Sequence, residues 1–257
     1  MGRSESPPPE RTETFGETWV YESIVGAIPG LALSDRQAVA IQLALFETGV
    51  LVLAWVYGVP EAVLPGTVAV AVAAAGSVAM RRFGRRTRRL DLPAPYRRPL
   101  FGSSIEVVLG RLAFIALVAH LFVFCPRHGA PPLSGLLFCP APPLPLGYLT
   151  LLILWDLCYR IGTSWWAAVV ALWRSWRYAF DAETVRHLRR LDLLNLGFGL
   201  LQLPMGPFLL DRPLLLVAVG GHIAAVAVVS LAAMATLRVR EASPEGSLER
   251  DTTERSR

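Results

Sequence analysis

Six apolar runs, each long enough to cross a bilayer, dominate this chain. A spanning helix needs about 20 mostly apolar residues. The segments that qualify lie at about 37–58, 61–80, 105–125, 147–172, 191–210 and 213–236. Lipid offers no partner to a backbone amide, so an open sheet or an irregular chain cannot face it. The expected fold is therefore all-α: an integral membrane helical bundle of about six transmembrane helices. Composition agrees, since only 18% of the residues are charged, against roughly 25% in soluble domains. Mean hydropathy is +0.45.

Arginine placement then orders the runs. All 25 basic residues are arginine, and the formal net charge is +5. Eight lie in 81–99, five in 174–190, three before the first run, and five beyond the last. Six crossings with both termini on one side put all four of these regions together. The positive-inside rule makes that side cytoplasmic. Five or seven crossings would scatter them. A basic balance distributed this way points to topology and to anionic lipid headgroups at the arginine clusters. Without aromatic interleaving it does not point to nucleic acid, and no nucleic-acid partner is expected. A homo-oligomer is left open.

The turns "YGVPE" and "DRP" are short and imply antiparallel hairpins. Residues 14–240 are expected to form the membrane domain, between polar tails 1–13 and 241–257 whose composition reads as disordered. Apolar residues recur at helical spacing in 15–28 and again at Trp176, Phe180, Val185 and Leu188, which predicts two interfacial helices. "RRLD" occurs at 88–91 and 189–192, too short a match to establish an internal repeat.

Several charged or polar residues fall inside the runs. Asp156 and Arg160 are four apart in "ILWDLCYRIGTSWW" and so share a helix face, where they can pair. Glu47, Arg111, Gln202 and His222 lie in other runs. Turned inward, the six form a candidate intramembrane polar network. An unpaired charge at the bilayer centre costs about 2.5–3.5 kcal/mol on insertion scales, so such groups default to a functional reading as a solute path or proton relay. The competing reading is structural: interhelical hydrogen bonds worth about 0.6 kcal/mol each that fix the helices in register.

On the expected outer side, Cys125 and Cys139 each sit in a Phe-Cys-Pro triplet. That compartment permits a disulfide, which would close a loop of about 15 residues and contribute roughly 3 kcal/mol. Free thiols are the alternative. Their spacing with His128 and His120 fits no zinc pattern, and no metal or cofactor is expected. No Walker A, GxSxG, HExxH, GxGxxG or paired CxxC motif occurs, so no catalytic activity is assigned.

The stretches "FGETWVYESIVGAIPGL" and "DLCYRIGTSWWAAVVALWRSWRYAF", with the lysine-free six-run plan, resemble uncharacterised multipass membrane proteins of haloarchaea. The resemblance covers most of 14–240 and implies no activity, substrate or site residue. The apolar runs and arginine placement themselves lead us to expect a multi-pass protein of the cell membrane. The basic net charge departs from the acidic habit of haloarchaeal soluble proteins. From the residues themselves, the leading expectation is a small-solute or ion transporter built on the polar network. The alternative is a non-catalytic scaffold or regulator that engages lipid or partner proteins through its arginine-rich loops.

Overall fold

The structure, a computed structural model, describes residues 34–121 and 144–240. The predicted tails, the segment 15–28 and both Cys125 and Cys139 lie outside those residues.

The described chain is a helical bundle, as the apolar runs require. Helix α1 spans Asp35–Tyr57 and starts on a capping box in which Ser34 and Gln37 satisfy each other's backbone amides. It ends at Gly58, whose φ of 65° only glycine adopts without strain. Pro60–Ala62 then forms a 3₁₀ turn, and α2 (Val63–Arg88) returns against α1. Next come α3 (Ala94–Gly102), α4 (Ile105–Ala119) and α5 (Leu144–Arg177). A two-residue strand, β1 (Ala179–Phe180), leads into α6 (Ala182–Leu200). A 3₁₀ helix (Leu203–Leu209) follows, then α7 (Pro213–Thr236) and β2 (Arg238–Val239).

Five stretches among the described residues are long and apolar enough to cross a membrane: Arg36–Val56, Pro60–Arg88, Ala94–Ala119, Leu144–Arg177 and Pro213–Thr236. The expected run at 191–210 differs. Its α-helix stops at Leu200 and gives way to the 3₁₀ segment, because Pro204 and Pro207 withhold the amides that a continuing α-helix needs.

Two further expectations change. The arginine-rich stretch 81–99 is largely helical, since α2 runs on to Arg88. Met80, Phe83, Gly84 and Thr87 keep a buried stripe at helical spacing, while Arg82, Arg85 and Arg86 stay exposed. Nor is 176–188 an interfacial helix. It comprises the end of α5, β1 and the start of α6, and Phe180, Val185 and Leu188 are core residues.

The larger core lies at the arginine-rich end. Met80 and Phe83 of α2, Tyr96 and Leu100 of α3, Val170 of α5 and Leu188 of α6 pack there with Phe180 and Leu237. Strands β1 and β2 pair in parallel over it, Ala179 with Arg238 and Phe180 with Val239. Hence α5 and α7 both arrive at this end, and α6 leaves from it. A smaller cluster joins α1, α2 and α5 through Val50, Val70, Ala73, Ile153 and Leu157. The outer faces of α1 and α7 are apolar, with Leu45, Trp55, Val217 and Val228 all exposed. Such a surface suits lipid and not water.

Helices α4 and α5 approach closely enough for backbone contact. A Cβ on Gly162 would stand 2.6 Å from the Gly110 amide nitrogen and 2.7 Å from the Glu106 carbonyl oxygen. Small residues at a crossing let backbones touch in this way. Phe114 and Trp155 extend the contact edge to face, their ring centroids 5.5 Å apart.

Candidate functional site

Asp156 and Arg160 sit one turn apart on α5 and are both buried. Arg160 donates twice to the carboxylate, from Nε to Oδ2 at 2.9 Å and from Nη2 to Oδ1 at 2.8 Å. The same Nη2 donates to Ser77 Oγ on α2 at 2.8 Å, and Ser77 donates to Gln42 Oε1 on α1 at 3.1 Å. Gly76 makes room for this arrangement, because a Cβ there would meet Arg160 Cδ at 2.7 Å. The pair thus pins three helices together. A cavity of about 10 Å³ beside it, lined by Gln42, Phe46 and Asp156 among others, has room for about one water.

The other four candidate network residues stand apart from this pair. Glu47 accepts a hydrogen bond from Thr67 at 2.7 Å, joining α1 to α2. Arg111 of α4 is exposed. His222 of α7 buries its Nε2 without a hydrogen-bond partner among the described residues. Gln202 is buried at the junction between α6 and the 3₁₀ helix and lines a cavity described below.

A second polar cluster occupies the arginine-rich end. Arg174, counted by charge alone as a loop residue, is fully buried near the end of α5. It donates to Asp192 Oδ2 at 2.6 Å and to the Tyr96 hydroxyl at 3.2 Å, and its guanidinium lies 5.3 Å from the Tyr96 ring centroid. Asn195 and Ser164 exchange hydrogen bonds nearby between α6 and α5. Trp166 Nε1 donates to the Pro99 carbonyl at 2.7 Å, holding α3 on α5. The apolar spacing around Arg174 and Asp192 hints at their burial, but their partnership spans 18 positions of sequence and leaves no local signal. Glu106 is buried beside the Gly110–Gly162 crossing, and neither carboxyl oxygen has a hydrogen-bond partner among the described residues.

A second, larger opening lies toward the other end of the bundle. It is a cavity of about 590 Å³ between α1, α2, α4, α5, the 3₁₀ helix and α7. Val50, Ala69, Leu149, Leu157, Ile161 and Phe208 are among its mostly apolar lining. Glu61, Asp211 and Arg212, from the two hairpin turns, are its charged lining residues. Gln202, Thr150 and Cys158 are the other polar contributors, and Cys158 is a free, buried thiol. The 3₁₀ helix supplies Met205, Pro207, Phe208 and Leu209 to the wall. Among the described residues no group of His, Cys, Asp and Glu is arranged to hold a metal ion.

A family model described as a family of unknown function, DUF7530, matches residues 14–233. The chain belongs to that family. The match covers both hairpins, the glycine crossing, the buried ion pairs and the cavity, so these belong to the family domain. No curated protein and no solved structure matches the chain. Membership and the five long apolar helices fit a membrane protein, and the family description carries no activity.

Proposed function

We propose that this is a six-crossing protein of the cell membrane, with both termini cytoplasmic, that binds and passes a small solute through the 590 Å³ cavity. The observation that carries the reading is a coincidence of position. The expected crossing at 191–210 breaks its α-helix at Gln202, in the wall of the cavity. Irregular backbone at membrane depth is tolerated only where it is buried in protein or lines a cavity. Broken helices of this kind form solute sites in secondary transporters. Cavities of 300–1,000 Å³ are the usual size for small-molecule sites.

The strand pair supports six crossings. Both α5 and α7 arrive at the β1–β2 end, so the chain between them must go out and come back, and α6 with its 3₁₀ extension makes the outward pass. The arginines concentrate at this end, which supports calling it cytoplasmic. The lysine-free composition supports a haloarchaeal source. Within the candidate network we assign the solute contact to Gln202. Asp156, Arg160 and Glu47 act as clamps between helices, Arg111 reaches toward lipid headgroups, and His222 packs α7.

A direct test uses Cys158. In a Cys125→Ser/Cys139→Ser protein in lipid nanodiscs, Cys158 should react with a small membrane-permeant maleimide while the protein is folded. Ala69→Trp, which fills the cavity from α2, should slow that reaction at least tenfold. A folded protein whose Cys158 never reacts would sink the cavity reading.

The scaffold alternative rests on a different observation. Arg82, Arg86, Arg89, Arg186, Arg189 and Arg190 are exposed around the arginine-rich end, beside the exposed rings of Trp173 and Trp176. Such a face suits anionic headgroups. Charge reversal at Arg189 and Arg190 should weaken stabilisation by anionic lipid while leaving Cys158 labelling unchanged. An equal thermal shift in wild-type and variant on adding anionic lipid counts against it.

A further inference from the structure

We infer that the cavity selects an uncharged molecule with a hydrocarbon body and one carbonyl or hydroxyl group, which Gln202 holds. This inference rests on the cavity reading above and adds the chemical class of its occupant.

The polar atoms of the cavity are sorted by position. Its charges, Glu61, Asp211 and Arg212, come from the turns that close the two hairpins, at the end of the helices away from the arginine-rich core. Away from these turns the lining is Val50, Ala54, Leu149, Ile153, Leu157 and Ile161, with little polar chemistry. Thr150 spends its hydroxyl hydrogen on the Leu146 carbonyl at 2.9 Å. Cys158 offers only a weak donor. Gln202 remains: it is 6% exposed, lines the cavity, and its carboxamide forms no hydrogen bond with another described group.

A carboxamide that faces an apolar cavity without a protein partner gains from a ligand hydrogen bond there. The amide offers both a donor and an acceptor, so it can meet a carbonyl or a hydroxyl. It cannot neutralise an ion. The nearest internal charges along α5, Asp156 and Arg160, are not both free to help, because they are spent on each other and on Ser77. A charged head drawn down to Gln202 would lose water and gain no counter-ion, which is costly in this setting. A neutral head loses little.

The test is competition for Cys158 labelling in nanodiscs, using the Cys125→Ser/Cys139→Ser protein. The competitors are a long-chain 1-alkanol, the n-alkanoate of the same length and the matching n-alkylammonium. The alkanol should slow labelling at least tenfold at a concentration where the two ions slow it less than twofold. Gln202→Leu should weaken protection by the alkanol about tenfold, the size of one ordinary hydrogen bond. Gln202→Glu should shift protection toward the alkylammonium, and serves if the leucine variant does not fold. Equal protection by all three competitors overturns the inference and leaves the cavity intact. So does protection by none of them while Ala69→Trp still blocks labelling, or an alkanol effect that survives Gln202→Leu. If Cys158 does not label at all, the cavity reading itself falls, and this inference with it.

Discussion

Gly110 and Gly162 meet with only backbone between them, where α4 crosses α5. A methyl group on Gly162 would press on the Gly110 nitrogen and the Glu106 oxygen, atoms that no rotamer change can move. Gly162→Ala should therefore destabilise the bundle by about 1–3 kcal/mol, the usual cost of overpacking. Gly197 of α6 is the matched control, since a Cβ there meets nothing within 4 Å. Gly197→Ala should be neutral or stabilising by about 0.5–1 kcal/mol. Denaturant unfolding in mixed micelles reads both, and equal effects would refute the close crossing.

The buried pair Arg174–Asp192 should behave as a unit. Asp192→Asn leaves a fully buried guanidinium without its counter-charge and should cost about 3–5 kcal/mol. Arg174→Met with Asp192→Leu removes both charges and should recover much of that loss. A double-mutant cycle on unfolding free energy measures the coupling, and additive single effects would mean that the pair contributes nothing as a pair.

Asp156 and Arg160 allow a sharper separation of structure from transport. Asp156→Asn strands Arg160 and should lower the yield of folded protein and its Tm. Asp156→Leu with Arg160→Met should restore both. If the double variant also retains the Cys158 labelling pattern, the pair is a clamp between α1, α2 and α5. Normal folding with altered labelling would instead draw the pair into the solute site.

Asp181 caps α6 and accepts from the Glu183 and Thr184 amides at 3.0 and 2.9 Å. Hydrogen bonding by the Thr184 side chain and backbone holds its carboxyl below the ordinary 3.8. A depressed carboxylate adds stability that is fully present above the unfolded value and is lost as pH falls through the folded one. Acidification below pH 3.8 should therefore erode the Tm of wild-type more than that of Asp181→Ala. Asp181→Ser, which keeps a cap without the charge, should lie above the alanine variant at neutral pH. Parallel pH profiles for wild-type and Asp181→Ala would rule out the cap as the source.

The bundle was legible because lipid imposes one rule on every apolar run, and that rule needs no partner information. The α1–α2 hairpin followed from the shortness of the turn "YGVPE", and the spacing of Asp156 and Arg160 made their ion pair foreseeable. Charge was the misleading signal. The arginines at 81–89 read as a loop, although Met80, Phe83, Gly84 and Thr87 already carried the helix through them. Arg174 read as one more cytoplasmic charge because its partner Asp192 is remote in sequence. The break at Gln202 did have a local signal, in Pro204 and Pro207. Nothing local, however, says that α1, α2 and α5 leave a cavity opposite it.

The parallel pairing of β1 with β2 has a consequence for biogenesis. β2 follows the seven described α-helices in chain order, whereas β1 emerges before the last two of them. During synthesis Phe180 must wait for Val239, so the strand pair over the arginine-rich core can form only after α6 and α7 have emerged. The two paired residues of each strand then act as a clasp that closes only after α7 has been made. A ribosome-stalled chain ending before Arg238 would hold all seven described helices yet leave that clasp unfastened.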